Sequence, residues 1–266
     1  MAIADLLVII TEVILNQINA HYFPVCFLDI TPICSLRKVL QRGAIDCSVW
    51  FTIIFSFDRF VAICCQTLKT KYCTEKAAAV VLATTSIVLL LKNIPFYFTQ
   101  EPEEIVNNVP WRCIDKETFY TEVGWMGFAW FDRIMTPLVP FALILLFNAL
   151  TIRHIITVSQ VRKELRCQSK RQNDSDSEME SRRKSMILLF SISGSFILLW
   201  LVNVIEFFYY QILGIDRLRY YDSEYIFQQA GIMLRNLSCC TNTFIYAATQ
   251  SKFRAKFTNA VKYLMS

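Results

Sequence analysis

The amino-acid sequence predicts an all-α membrane protein, and three observations support this fold class. Of the 266 residues, 55% are hydrophobic and only 18% are charged, whereas soluble domains carry about 25% charged residues. The stretches 134–152 and 185–205 contain no charged residue, and each has the ~20 residues that a helix needs to cross a ~30 Å hydrocarbon layer. Weaker apolar runs recur along the rest of the chain. A soluble two-domain protein is therefore excluded.

Six membrane spans are predicted in chain order. They cover residues 1–20, 33–65, 76–98, 134–152, 185–205 and 224–249. The first run carries Asp5 and Glu12 and has neither a basic leader nor a small-residue cleavage site, so we interpret it as a helix rather than a signal peptide. No repeat of fixed period is present, which excludes solenoids and propellers.

Lys and Arg residues set the predicted orientation, because they accumulate in cytoplasmic loops. Segments 66–76, 153–184 and 250–266 hold 16 of them, whereas segments 21–33, 99–123 and 213–224 hold 4. The first group is therefore predicted to be cytoplasmic. The net charge of +5 reflects this asymmetry, and no nucleic-acid partner is predicted.

Two cytoplasmic segments have distinct compositions. Segment 162–184 is basic at both ends and acidic between them, which predicts a mobile loop. Segment 250–266 places apolar residues four apart with basic residues between them, which is typical of a short amphipathic helix on the lipid of the inner leaflet. We therefore divide the chain into a transmembrane bundle, 1–249, and a cytoplasmic helix, 250–266.

Charged side chains inside the spans predict ion pairs or a cavity, because each costs roughly 2.5 to 3.5 kcal/mol to insert. The candidates for a polar ligand pocket near the outer face are Arg42, Asp46, Asp132, Glu206 and Arg235. Arg42 and Asp46 lie four residues apart on one helix face, so one interpretation is that they only neutralise each other. In the other interpretation, the arginines suit a carboxylate of the ligand and the acidic residues suit an amine.

Three cysteines fall on the oxidising side of the predicted topology, namely Cys26, Cys34 and Cys113. A disulfide between Cys34 and Cys113 would tie the long outer loop to the outer end of the second span. Cys26 is the rival partner for either one. The cysteines within the spans are expected to act as small apolar residues.

A set of motifs appears in a fixed order along the chain. Asp58-Arg59-Phe60 lies 25 residues beyond Cys34, roughly 37 Å along a helix, so the two mark opposite faces of the membrane. The other motifs are Ala2-Ile-Ala-Asp5, Pro140, Phe196 with Trp200, and Asn242-Thr-Phe-Ile-Tyr246. Together they resemble the signatures of rhodopsin-like (class A) G-protein-coupled receptors, from the second helix of that family to the seventh.

Within this family the sequence looks most like the orphan-type receptors that answer to the aromatic amino acids tryptophan and phenylalanine. The cues are Ala4-Asp-Leu-Leu-Val8, Asp46-Cys-Ser-Val-Trp50, Leu199-Trp200 and Asn148. The resemblance implies that an extracellular small ligand, either an aromatic amino acid or a peptide, is coupled to a heterotrimeric G protein at the plasma membrane.

The resemblance also implies roles for individual residues. The activation switch would comprise Asp58, Arg59, Phe196, Trp200, Asn242 and Tyr246. Asp5, Ser48 and Asn242 would surround an allosteric sodium ion, since carboxylate, hydroxyl and amide oxygens suit a hard cation. No other cofactor is implied.

The chain departs from the family pattern in several places. Its six spans would correspond to helices two to seven, with the first helix missing. Val202 and Thr243 stand where the sixth and seventh helices usually have proline, so either Gly194 supplies the hinge or the outward swing is smaller. In the family, an acidic residue of the sixth helix can form an ion pair with the arginine of the third helix, which is Arg59 here. Arg182 stands at the position of that acidic residue, so this ion pair is not expected.

Two rival interpretations remain beside the receptor, which would act by shifting a two-state equilibrium. A transporter fragment would explain the intramembrane charges equally well, and a truncated receptor would bind without signalling. An enzyme is not predicted, because the sequence contains neither His-Glu-x-x-His nor Gly-x-Ser-x-Gly.

Overall fold

A computed structural model of the chain places helices over most of its length. It describes residues 1–23, 26–65, 74–166, 175–213 and 222–249, together with 258, 259 and 262. Within these residues, all β-strands lie between positions 100 and 115, in the outer loop.

The first helical stretch is continuous but changes from α-helix to π-helix and back to α-helix. It consists of α1 (Ala2–Val8), a π-helical segment (Ile9–Ile18) and α2 (Asn19–Tyr22). A 3-10 turn, Phe27–Asp29, leads into α3 (Thr31–Cys64), which has 34 residues and is therefore ~51 Å long at 1.5 Å per residue. Pro32 fits the first turn of α3 because a backbone N–H there would have no helical partner.

Helix α4 (Glu75–Asn93) begins at a side-chain cap. The Thr74 hydroxyl accepts a hydrogen bond from the Ala77 amide at 3.2 Å, which satisfies one of the free amides of the first turn. The chain continues as a 3-10 segment, Ile94–Thr99, into the outer loop. The predicted third span thus matches an observed helical stretch.

The outer loop contains four short strands. They are β1 (Gln100–Glu101), β2 (Glu104–Val106), β3 (Val109–Trp111) and β4 (Ile114–Asp115), with β1 antiparallel to β4 and β2 antiparallel to β3. Asn107 and Asn108 form the β2–β3 turn with φ of 53° and 62°. Two-residue hairpin turns favour positive φ at both positions, which asparagine tolerates. The all-α prediction therefore holds for the bundle but not for this loop.

The second half of the described chain is again helical. Its elements are α5 (Thr118–Thr121), α6 (Val123–Arg133), a π-helical segment (Ile134–Leu138), α7 (Val139–Arg166), α8 (Ser175–Leu213) and α9 (Asp222–Thr249). Thr136 departs from helical geometry, with φ −148° and ψ 98°, as a residue before proline often does. The long helical stretch that contains the predicted fourth span thus begins at 123, earlier than predicted.

Two predictions about the cytoplasmic side meet different outcomes. The predicted loop 162–184 is helical at both ends, because α7 continues to Arg166 and α8 begins at Ser175. Positions 167–174 lie outside the described residues. The predicted helix 250–266 also lies outside them, apart from three positions, and stays a prediction.

In the described parts of the chain, four helical stretches are long and apolar enough to cross a membrane. They are Thr31–Cys64, Glu75–Thr99, Val123–Val161 and Met186–Tyr209, and they correspond to the second to fifth predicted spans. The first stretch is divided into segments of 7, 10 and 4 residues, and α9 carries Arg235 and several amide side chains. Crossing by these two stays a prediction.

The core lies where α3, α7 and α8 meet. Val49, Ile53, Ile144, Phe196 and Trp200 form a buried cluster there. The most apolar part of α4, by contrast, is only 11% buried, so most of its surface is available to lipid. This arrangement places Trp200 at the centre of the bundle, below the outer loop.

Candidate functional site

An open cavity of about 480 Å³ lies at the outer end of the bundle. We call it the upper cavity. Arg37, Lys38 and Gln41 of α3 line one side, and Gln100 and Arg112 of the outer loop line another. Its walls carry several charged and amide groups, so it suits a polar ligand.

A disulfide between Cys34 and Cys113 forms part of the wall of the upper cavity. This confirms the predicted pair. Cys26 is a free thiol that donates a hydrogen bond to the Asn19 side chain at 3.4 Å. Thr31 adds a second tie between α3 and the loop, because its hydroxyl donates to the Arg112 carbonyl at 2.7 Å. The outer loop is thus anchored over the bundle.

Asp115 of β4 ties the loop to α3 through charge as well. It forms an ion pair with Lys38 and accepts hydrogen bonds from Gln100 and from Tyr120. Burial alone would raise the pKa of Asp115, but the Lys38 charge and these hydrogen bonds outweigh it and hold the pKa below its ordinary value. The carboxylate is therefore ionised at neutral pH.

A second cavity of about 140 Å³ lies deeper in the bundle. We call it the lower cavity. Lys38 and Gln41 line both cavities, so the two adjoin. Trp200 and Asn203 of α8 line the lower one, and four of the predicted ligand-pocket residues do so as well: Arg42, Asp46, Asp132 and Arg235. The fifth, Glu206, is buried on α8 and lines neither cavity.

Buried ion pairs join α3, α4 and α6 beside the lower cavity. Lys92 Nζ lies 2.7 Å from Asp46 Oδ2 and 2.6 Å from Asp132 Oδ1. Arg42 Nη1 lies 3.0 Å from Asp132 Oδ2. Of the two interpretations of Arg42 and Asp46, the one in which they only neutralise each other is not observed, because each side chain reaches a partner on another helix.

Asp46 is 3% exposed and also accepts two neutral hydrogen bonds. Asn93 Nδ2 donates to it at 2.6 Å, and Thr136 Oγ1 donates at 2.8 Å. A buried carboxylate needs such partners because desolvation of an unpaired charge is costly. The hydrogen bond from Thr136 to Asp46 crosses the bundle, and Thr136 is also the residue whose backbone departs from helical geometry.

A separate buried pair lies between the first helical stretch and α9. Arg235 Nη2 is 3.3 Å from Glu12 Oε1, and Gln41 donates a hydrogen bond to the same carboxylate. Arg235 Nε is buried and has no hydrogen-bond partner among the described residues. Since Arg235 lines the lower cavity, it can donate to a group that enters there.

The three predicted sodium ligands lie together. Ser48 donates to Asp5 Oδ1, and Asn242 Nδ2 donates to Asp5 Oδ2 at 3.2 Å. All three residues are buried. A carboxylate, a hydroxyl and an amide make a donor set that fits a hard cation, and a cation there would replace these hydrogen bonds.

The aromatic switch residues lie in the core, below the lower cavity. The rings of Phe196 and Trp200 have centroids 5.4 Å apart, and Phe141 of α7 meets Phe196 edge-on at 5.6 Å. A displacement of Trp200 would therefore also displace side chains of α7, because close-packed interiors transmit displacement.

Asp58 and Arg59 lie near the end of α3 that is opposite Cys34, which is the predicted cytoplasmic end. Arg59 donates to Asp58 through Nε at 3.0 Å and through Nη2, and its side chain is 34% exposed. Tyr246 lies on α9 with its side chain outside the described part of the structure. Arg59 is therefore held by its neighbour and is still partly exposed.

Sequence reasoning missed several residues of the site. Lys92 is the most important of them, and Gln41, Asn93 and Thr136 are the others. A signal for Lys92 was present, because it is the one charged residue within 77–98. The neutral residues gave no comparable signal.

Comparison with known proteins gives two findings. The family model described as "7 transmembrane receptor (rhodopsin family)" matches residues 1–246. Neuropeptide receptor 22 of Caenorhabditis elegans is 27% identical to this chain over 190 residues. The matched part is 66% of this chain and 42% of that protein, so the match covers less than half of the relative's length.

Proposed function

The chain belongs to the rhodopsin family of seven-transmembrane receptors, and we propose that it transmits the binding of an extracellular ligand to a heterotrimeric G protein. One observation supports this most strongly. Trp200 lines the lower cavity and is also part of the buried core cluster with Phe196. A ligand in the cavity would therefore contact the side chain whose packing links α8 to α3 and α7.

A peptide is the ligand class we propose. The matched relative is named a neuropeptide receptor, and the upper cavity is large and lined with charged and amide groups, which suits a chain with many backbone donors and acceptors. A free tryptophan or phenylalanine, which the sequence resemblance implied, has no support from the relative.

We propose that Arg235 donates a hydrogen bond to an acceptor at the end of the ligand that lies deepest in the bundle. Its Nε needs a partner, and Arg42 lines the same cavity. A carboxylate or amide oxygen of the peptide would satisfy the guanidinium, because Arg donors recognise such oxygens well.

At the inner end of the bundle, we propose that Arg59 contacts the G protein. Its ion pair with Asp58 is partly exposed, and exposed pairs contribute little, about 0 to 1 kcal/mol. Exchanging Asp58 for a partner on the G protein therefore costs little free energy. Ligand binding then shifts the equilibrium toward the state in which this exchange occurs.

We further propose six membrane crossings at the plasma membrane, with helix 250–266 on the inner leaflet. The Lys and Arg distribution supports the orientation. Asp5, Ser48 and Asn242 are proposed to hold a sodium ion that stabilises one of the two states.

Reconstituted receptor tests this function. Vesicles containing the full chain are mixed with purified heterotrimeric G proteins and a library of synthetic neuropeptides, and guanine-nucleotide exchange is measured beside peptide uptake into the vesicles. Faster exchange with at least one peptide, without uptake, is expected. Uptake without any change in exchange would favour the transporter instead.

A further inference from the structure

A third cavity, of about 210 Å³, lies beside the lower cavity, toward α5 and α6. We call it the side pocket. Five aromatic residues line it: Phe96, Phe119, Tyr120, Trp130 and Phe207. They come from the outer end of the α4 stretch, from α5, from α6 and from α8, so the pocket lies in the outer half of the bundle.

The aromatic rings of the side pocket meet one another at their edges. Trp130 and Phe207 are T-shaped with centroids 5.2 Å apart, and Phe96 and Phe119 are tilted at 6.3 Å. Such a wall offers ring faces and edges to a further ring, and aromatic pairs contribute about 0.5 to 1.5 kcal/mol beyond the area that they bury.

Two arginines make a cationic occupant unfavourable. The Arg42 guanidinium carbon lies 3.8 Å from the centroid of the Phe96 ring, and that of Arg133 lies 5.6 Å from the Phe207 ring. Both arginines line the pocket. A ligand cation would approach ring faces that already carry a positive charge, whereas a neutral ring can stack on the guanidinium planes.

The side pocket adjoins the lower cavity through shared residues. Arg42, Asp132 and Arg133 line both, and Arg42 and Asp132 form an ion pair at 3.0 Å. A ligand that occupies the lower cavity therefore lies next to the side pocket.

We propose that the side pocket is a second ligand subsite, which takes a neutral aromatic side chain of the peptide. This inference rests on the proposed function and names the chemical class of one ligand residue. It accounts for an aromatic cavity placed directly beside the polar one.

Protection of an introduced cysteine tests the subsite locally. Ala129 lines the side pocket, so Ala129→Cys is made in a Cys26→Ser background and reconstituted in lipid nanodiscs. The modification rate by a thiol reagent is followed at position 129 by mass spectrometry of its peptide, because other free cysteines remain, and it is measured with N-acetyl-L-phenylalaninamide, N-acetyl-L-leucinamide or N-acetyl-L-argininamide. The phenylalanine probe should protect at about fivefold lower concentration than the leucine probe, a factor that corresponds to about 1 kcal/mol. The arginine probe should not protect.

Gly127→Cys is the matched control, because a Cβ at Gly127 meets no atom within 4 Å and the position is two residues away on α6. No probe should protect it. Equal protection by the phenylalanine and leucine probes at 129, or equal protection at 127 and 129, would overturn the proposal.

A second measurement keeps the inference testable if Ala129→Cys does not fold. The unmodified receptor is photolabelled with N-acetyl-4-benzoyl-L-phenylalaninamide and the adducts are located by mass spectrometry. Adducts at Phe96, within 119–133 or at Phe207 are expected, and adducts only elsewhere would overturn the subsite. Neither assay contains a G protein, so a receptor that binds the probes but never accelerates exchange contradicts the proposed function and not this inference.

Discussion

The Lys92 ammonium lies 2.7 Å from the Asp46 carboxylate, so α4 is tied to α3 by an ion pair inside the bundle. The same ammonium lies 2.6 Å from Asp132 on α6. One basic side chain thus compensates two buried acidic side chains on different helices.

Replacing Lys92 with methionine should destabilise the receptor strongly. Asp46 and Asp132 would then face each other with less compensation, and breaking a buried ion pair costs about 3 to 5 kcal/mol. We expect a lower melting temperature of the purified receptor and a lower surface level. Lys76→Met, at the exposed start of the same helix, is the control and should change neither quantity.

A second substitution checks the cause. Asp46→Asn in the Lys92→Met background removes one uncompensated charge and should recover part of the lost melting temperature. If the double variant is no more stable than Lys92→Met, charge compensation is not the role of Lys92.

Much of the fold was predictable, because it follows from local patterns. The charge-free runs predicted helices that the structure contains, and the positions of Cys34 and Cys113 favoured the disulfide that forms. These features depend on hydropathy and on which side of the membrane a residue lies. The hairpin at Asn107 and Asn108 was not predicted, because its two strands have only three residues each, too few to show the alternation of apolar and polar residues that indicates a strand.

The contacts of the site were less predictable. The spacing of Arg42 and Asp46 placed them on one helix face, but their partners were decided by helix packing, which sequence spacing does not specify. The contact between Thr136 and Asp46 joins residues 90 positions apart at an irregular point of the backbone. Glu206 was expected in the pocket on charge alone, but it is buried on α8 and lines neither cavity.

Glu12 and Arg235 should be coupled in stability. Arg235→Met alone leaves the buried Glu12 carboxylate without its cation and should lower the melting temperature, whereas Glu12→Gln with Arg235→Met should restore most of it. Contacting residues typically show interaction energies of about 0.5 to 3 kcal/mol in such a cycle. Strictly additive effects of the two substitutions would contradict the ion pair.

Asp115 should make the stability of the outer loop depend on pH. Its pKa is lowered in the folded receptor, so its contribution is fully present above the ordinary value of about 3.9 and is lost as the pH falls through the lower folded value. The difference in melting temperature between the wild-type receptor and Asp115→Asn should be constant from neutral pH to about pH 5. It should shrink below about pH 4. A difference that grows on acidification would have the wrong sign.

Guanine-nucleotide exchange by an Arg59→Ala receptor tests the central claim most directly. Wild-type receptor in vesicles should accelerate exchange on a heterotrimeric G protein in the presence of an active peptide, and Arg153→Ala, exposed on α7 directly after the charge-free run 134–152, should do so equally. Arg59→Ala should be present in the vesicles at the same amount and with the same melting temperature, yet give no acceleration, because Arg59 is the residue proposed to meet the G protein. Undiminished exchange with Arg59→Ala would contradict the account.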